Sequence, residues 1–373
     1  MPSNANHTDF YSVLRPATDA AFAMLDERPA LFSETSQKIY KLNETAAFIW
    51  CELVDRKPVA AICDDLKRLG LERTAARRHV REALRAWFDL GLLEIEWKLG
   101  EKHCFGAHIG KCAVNIRASS RRLIELLLPV FCGIGDALES SADTFDLVEI
   151  EDQVHIFHNG SRAGQCASDA VAPAVKFLIT ERVVLQNPTD VALHAACLVR
   201  NQKALLVIGP PGAGKSTLTI YLMEAGFEYS ADDIVLVAPD GRATGVSFCP
   251  TIKSGSWARV GELMPALTSA PVHRRADGQL VRYLGLPRAR DEAVPIGTIV
   301  FIKRMPNIQP RLTRLDQVET MKRLIESAHS PDQKLSCELF LALKRTLAEA
   351  NLLELEYSDA VQARSAIVEF CNG

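Results

Sequence analysis

A chain of 373 residues has room for two or three domains, and 48% hydrophobic with 24% charged residues is an ordinary composition for a chain that buries sizeable cores. A net charge of −3 argues against a surface built to coat nucleic acid. The opening MPSNANHTDFYSVLRP has no basic segment leading into an apolar one, and the longest apolar run, residues 123–135, is broken by Glu125 and Pro129. Neither a secretion signal nor a membrane span is expected, and the cytoplasm is the expected compartment. The cysteines, scattered from Cys51 to Cys371 without framework spacing, are expected to be buried free thiols.

Residues 1–22 read as a loosely ordered lead-in, and residues 23–98 as a compact block. Leu31 to Leu42 reads as a hairpin turning at its polar centre. Asn43 caps a helix carrying Ala46, Ala47, Ile49, Trp50 and Leu53. Pro58 opens a second helix with Ile62, Leu66 and Leu69, ended by Gly70. Glu72 to Leu90 is a third, with Val80, Leu84, Trp87 and Phe88 at helical spacing and Gly91 at its end, and a short strand follows at Leu92 to Ile95.

A hairpin followed by three helices is a small winged-helix-like unit. Lys41-Leu42-Asn43-Glu44-Thr45-Ala46, Pro58-Val59 and Leu90-Gly91-Leu92-Leu93 resemble the PqqD-like family, modules that recognise the leader peptides of ribosomally made, modified peptides. The resemblance implies that the leader of a precursor peptide adds as a strand to the hairpin edge and lies against the third helix. Two other readings stay open: a purely structural domain, and a DNA-reading winged helix. Arg77, Arg78, Arg81 and Arg85 make a basic stripe on the third helix, equally a solvated face or a landing strip for an acidic leader.

Residues 99–190 read as a mixed α+β region preceding the catalytic core. Cys112 to Arg117, Leu147 to Ile150 and Val154 to Phe157 read as strands, the last before a turn at Asn159-Gly160. Ser120 to Phe131 and Pro173 to Thr180 read as helices. His103, Cys104, His108 and Cys112 are spaced loosely like metal ligands but lack a second paired set. Gly100, Gly106 and Gly110 suggest a mobile linker there.

Residues 191–373 carry the chemistry. Leu193 to Val199 is a strand, and Ala204 to Ile208 is a buried one. Gly209-Pro210-Pro211-Gly212-Ala213-Gly214-Lys215-Ser216 then fits the phosphate-loop pattern, and Thr217 to Ala225 reads as the helix behind it. Strand, glycine-rich turn and helix in that order let backbone N–H groups and a helix N-terminus converge on a phosphate. Gly209, Gly212, Ala213, Gly214, Lys215, Ser216 and Thr217 are the candidate ATP contacts. Lys215 would reach the β- and γ-phosphates, and the Ser216 hydroxyl would sit on Mg²⁺. Downstream, Asp232 and Asp233 lie squeezed between apolar strands, where two carboxylates are costly unless a cation meets them. Ordinary phosphate-loop ATPases place the magnesium Asp at the end of a long apolar strand. Here the obvious candidate, Pro295 to Ile302, ends in Lys303-Arg304.

His194, the phosphate loop and Ser230-Ala231-Asp232-Asp233 together resemble the HPr kinase/phosphorylase catalytic domain, most of all its divergent relatives found with peptide-modification machinery. Pro250 to Ser256 and Leu355 to Asp359 extend the resemblance. Pro210-Pro211 replaces the family's Asp-Ser, and Tyr283-Leu284-Gly285-Leu286 is a faint echo of its glycine-rich signature. These departures leave the HPr substrate and the reverse reaction open.

The expected architecture is thus α/β: an HPr-kinase-like phosphate-loop domain preceded by a winged-helix-like PqqD unit and a connecting region. The expected activity is transfer of the γ-phosphate of ATP to a Ser or Thr of a precursor peptide. Asp232 is assigned as base and Asp233 as the Mg²⁺ partner beside Ser216, an assignment that mutation can reverse. His194 steadies the γ-phosphate or the base, or is a core residue. Lys253, Arg259, Arg282 and Arg288 are candidate phosphate or acceptor contacts, or surface charges. Alternatives are a small-molecule kinase and an ATP-switched DNA-binding regulator. HPr kinases are hexamers as a family, which leaves a homo-oligomer open.

Overall fold

A computed structural model describes residues 14–95, 103–110, 112–132, 134–135, 142–150, 153–286, 289–290, 292–329 and 335–372. They fall into two compact units, one of residues up to 102 with 160–162 and one of the remainder.

In the front unit, Leu14–Pro16 pairs antiparallel with Leu93–Ile95, and a three-stranded sheet runs Ala20–Leu25, Arg28–Ser33, Lys38–Lys41. The lead-in expected over residues 1–22 therefore begins the fold at Leu14, and residues 1–13 lie outside the described ones. Alternating small and apolar residues in AAFAML hide this strand, which is easily read as a loop with weak hydrophobicity. The hairpin has its expected place, with a third strand added. Helices Glu44–Val54, Val59–Arg68 and Arg73–Asp89 come next. The Asn43 side chain accepts from the Ala46 amide, and the Glu72 carboxylate accepts from the Thr74 and Ala75 amides. Ile49, Trp50, Leu53, Ile62, Leu66, Val80, Leu84 and Trp87 are buried as their spacing requires. Trp50 and Trp87 meet edge to face at 5.2 Å.

The second unit begins with a six-stranded sheet in the order Ser161–Ala167, Gln153–His158, Asp143–Ile150, Cys112–Ala118, Cys104–Ile109, Ile134–Gly135. From residue 104 on the supposed linker is thus a hairpin turning at Gly110, whose φ of +59° suits glycine, and Gly100 lies outside the described residues. The helix expected over residues 120–131 is only Arg121–Leu127, because Pro129 tightens Leu128–Val130 into a 3₁₀ turn. The helix expected from Pro173 is longer, Val171–Gln186. Its Val175, Ile179 and Val183 pack with Ile116, Leu147 and Ile156 of the sheet, and the same core takes in Ile234, Phe248 and Val281. Residues 103–190 thus share a core with the strands that carry the acidic pair.

The phosphate-loop strand Lys203–Ile208 runs parallel to Val294–Arg304, which runs parallel to Asn351–Tyr357. Helices Lys215–Glu224 and Ala360–Asn372 cover one face of this sheet, and Gln317–Ser327 and Cys337–Glu349 the other. Val191–Arg200 joins this sheet to a second set of pairings: residues 195–200 pair with the loop strand, whereas residues 191–194 pair with Ile234–Val237. His194 stands at that change of partner. No helix among the described residues is long and apolar enough to cross a membrane.

Candidate active site

The loop between Ile208 and Lys215 is shaped by its glycines. Gly212 has φ +86° and Gly214 φ +99°, a region closed to most residues. A Cβ on Gly209 would meet Ile302 at 2.7 Å, and one on Gly214 would meet the Tyr357 hydroxyl at 2.6 Å. That hydroxyl donates to the Ala213 carbonyl at 2.6 Å, tying the loop to the end of Asn351–Tyr357, the next strand beyond Val294–Arg304. The helix behind starts at Lys215 with Gly214 as its cap, and no side chain bonds its first amides. Such an end presents N–H groups and partial positive charge to an anion.

Lys215 is 8% exposed, and its ammonium donates to the Gly209 carbonyl at 2.7 Å. Burial lowers its pKa, opposed by Asp232 and Asp233. The two acids close the other side. Asp232 is 6% exposed, and its Oδ2 accepts from the Thr251 amide at 3.1 Å, whereas its buried Oδ1 makes no well-formed hydrogen bond among the described residues, with the Ser216 hydroxyl acting on the carboxylate. Burial raises its pKa to about 6, against the pull of Lys176 and the Ser216 hydroxyl. Asp233 is held open: its side chain is 43% exposed, with Oδ2 3.0 Å from Lys176 Nζ and Oδ1 3.2 Å from His194 Nδ1. Lys176 keeps the Asp233 carboxyl well below the usual range, burial opposing. The two acids occupy the bend between Glu228–Ala231 and Ile234–Val237, one buried and the other open.

These groups border one cavity of about 630 Å³, with His194, Gly212, Gly214, Lys215, Ser216, Thr217, Asp232, Asp233 and Lys253 in its wall. Gly209 and Ala213 act instead on the loop itself, through Lys215 and Tyr357. Thr217 donates to the Ser256 hydroxyl at 3.0 Å, which fastens the loop helix to the Pro250–Ser256 stretch. A triphosphate with a divalent cation fits this donor set. The uncapped helix end and buried ammonium suit phosphate, and the Ser216 hydroxyl and Asp233 carboxylate in the same wall suit a hard cation. Among the described residues no three His, Cys, Asp or Glu side chains gather into a metal cage, so such a cation would need oxygens from the nucleotide as well.

Several expectations need correcting. Arg282 does not serve the cavity: it donates to the Leu267 and Thr268 carbonyls and stacks over Trp257 at 4.5 Å. Arg259 is absent from the cavity wall, where Arg275 and Arg304 stand instead, and Arg288 lies outside the described residues. Arg304 ends the strand parallel to the loop strand, where phosphate-loop ATPases carry the magnesium Asp. His194, 42% exposed and paired to Asp233, is not a core residue. Cys112 is buried and donates to Gln186 Oε1, whereas Cys104 on the paired strand is exposed. Cys51 and Cys337 are exposed as well, so the thiols are free but not all buried.

The sequence reading missed Lys176. It donates to Asp233 and to Thr251 Oγ1 at 3.0 Å, and lies 5.7 Å from the Phe248 ring and 5.9 Å from that of Tyr283. Burial disfavours its charge, but Asp233, Tyr283 and Asp232 together outweigh that and raise its pKa. The available signal was a lone lysine in the apolar helix VAPAVKFLITERVVLQ.

Residues 29–93 match the family model described as coenzyme PQQ synthesis protein D (PqqD), so a PqqD domain occupies the front unit. Among solved structures, TbiB1 in complex with the TbiA(beta) leader peptide is 23% identical, covering 21% of this chain and 94% of that one with a TM-score of 0.21. Lasso peptide synthetase B1 complexed with the leader peptide is 26% identical, covering 22% and 96% with a TM-score of 0.21. The Hpr(Ser) kinase/phosphatase from Coxiella burnetii is 12% identical, covering 48% and 97% with a TM-score of 0.22. No curated protein matches the chain.

Proposed function

We propose that the protein is an ATP-dependent kinase that phosphorylates a Ser or Thr of a ribosomally made precursor peptide, whose leader is held by the PqqD domain. The observation that carries the reading is the convergence of Lys215, the uncapped helix end, Asp232 and Asp233 on one cavity. In the reaction the bond from the γ-phosphorus to its bridging oxygen breaks and a bond to the acceptor oxygen forms. ADP leaves, and the hydroxyl proton passes to Asp232. Such transfer is mostly positioning and charge stabilisation. Lys215 and the loop amides hold the phosphates. Ser216 and Asp233 would hold Mg²⁺, which neutralises phosphate charge when bound. Asp232 has the free oxygen a proton acceptor needs. Lys176 and His194 fix Asp233 in place.

The leader half rests on the PqqD match and on the shape of the front sheet. Among the described residues Lys38–Lys41 is an edge strand, paired on one side only. The Leu42 amide bonds inward to Pro29, so alternation turns the amides of Ile39 and Lys41 outward. Those outward groups are what an added strand would use.

Incubating the protein and ATP with candidate peptides, and weighing the product, tests the reading: a gain of one phosphate is expected, and no gain on any hydroxyl peptide would sink it. Asp232→Asn is expected to cut turnover about a hundredfold or more with little change in ATP affinity. Should it mainly weaken Mg²⁺-ATP binding instead, the two acids exchange roles. Ile39→Pro removes an outward amide at a 61% exposed position without touching the ladder, and is expected to raise KM for the full peptide alone. Equal use of leaderless peptide would remove the leader half.

A further inference from the structure

We propose that a second cavity, next to the phosphate site, is the acceptor pocket, and that it takes an apolar or aromatic side chain flanking the hydroxyl residue that receives the phosphate. The inference rests on the kinase reading above and names the chemistry of its substrate.

This cavity holds about 610 Å³, within the range of sites that enclose small ligands. It shares His194, Asp233, Thr251 and Arg275 with the phosphate cavity. A segment lodged in it therefore ends at the acids, where the reacting oxygen belongs. Away from that junction Ile156, Phe177 and Tyr283 give its walls apolar surface, and the charged groups there are paired with one another or with neighbours, His329 with Glu181 and Arg274 with Asp169. Phe177 is 59% exposed on a helix whose Val175, Ile179 and Val183 are all buried. An aromatic ring left open in a concave wall gains by being covered with an apolar group. Lys176 also borders the cavity, but Asp233 and Thr251 already engage it, so it does not demand an anionic ligand.

A free sugar or hydroxy acid would turn unpaired polar groups against these walls, which is costly. A peptide divides its chemistry as the cavity does. Its Ser or Thr oxygen sits at the polar junction, and the neighbouring apolar side chain fills the pocket.

Two measurements decide the matter. The unaltered protein is given ATP and a library of short peptides, each with one Ser or Thr, with the flanking residues varied from Gly to Phe and to Asp. Peptides with Leu, Phe or Tyr beside the hydroxyl are expected to react about 10- to 100-fold more efficiently in kcat/KM than those with Gly or Asp. Second, the cavity is filled. Gly164 borders it, has no positive φ, and has nothing within 4 Å of where a Cβ would stand, so Gly164→Phe brings bulk without backbone strain. Ala276→Trp does the same from another segment of the wall. Each is expected to raise KM for the preferred peptide about tenfold or more while the Kd for ATP stays within about twofold. Phosphorylation with no flanking preference, and parental KM in both filled variants, would overturn the pocket while the kinase reading stood. Turnover of free serine or a sugar at rates matching the peptides would also overturn it. No phosphate transfer to any peptide by a protein that binds ATP would overturn both.

Discussion

The two adjoining cavities are built on different plans. The phosphate cavity takes most of its wall from three short stretches, the loop at 209–217, the acid pair and residues 251–256. It is made of backbone held in unusual conformations and of charges that have one place to go. The neighbouring cavity draws on residues from Ile156 to His329, mostly through exchangeable apolar side chains. A site of the first kind tolerates little, whereas one of the second can be retuned by single substitutions. If that contrast is right, mutations around the phosphate cavity abolish function and those around its neighbour only shift preference.

The largest effect belongs to Lys215. Lys215→Ala removes the buried ammonium that the kinase reading sets against the phosphates, and is expected to lower kcat for peptide phosphorylation about a thousandfold and to weaken ATP binding. Activity within a few fold of the parent would break the contrast at its root.

Next comes Gly214→Ala. The φ of +99° and the 2.6 Å approach to the Tyr357 hydroxyl penalise any Cβ. A loss of about 1–3 kcal/mol in stability is expected, with ATP affinity falling alongside. Thermal unfolding and nucleotide titration measure the two. Adding Tyr357→Phe relieves the clash but not the backbone strain, so the double variant should recover only part of the stability. Full recovery would mean that sterics alone shaped this turn.

The same contrast explains what could be read from the sequence. The phosphate loop announces itself because a few consecutive residues fix its geometry, and the front helices do so because caps and apolar spacing are local. The acid pair was visible too, as charge placed where only apolar strands belonged. Lys176 was not, because its partner Asp233 lies far along the chain, and its one local sign, a lone lysine in an apolar helix, does not point to that partner. Arg282, expected at the cavity, is engaged elsewhere, and Arg304, given no part, stands in its wall, for the same reason. Which arginine reaches a cavity depends on strand pairing, here the parallel match of Lys203–Ile208 with Val294–Arg304. The strand Ala20–Leu25 was missed because its stability comes from pairing with Arg28–Ser33 rather than from its own composition.

The smallest expected effect is the most discriminating one. Phe177 is already 59% exposed, so Phe177→Ser gives up little burial and should leave stability within about 0.5 kcal/mol. It lies on the second cavity but not on the first, so the Kd for ATP should hold. What should change is the use of a peptide with a bulky apolar residue beside its hydroxyl, with KM rising about three- to tenfold, the scale of a partly covered apolar contact. A peptide with Gly at that position should respond less, because it never covered the ring. A uniform loss on both peptides, or a fall in ATP affinity, would place Phe177 in the phosphate cavity's plan and erase the distinction between a site that fixes the chemistry and one that selects the residue.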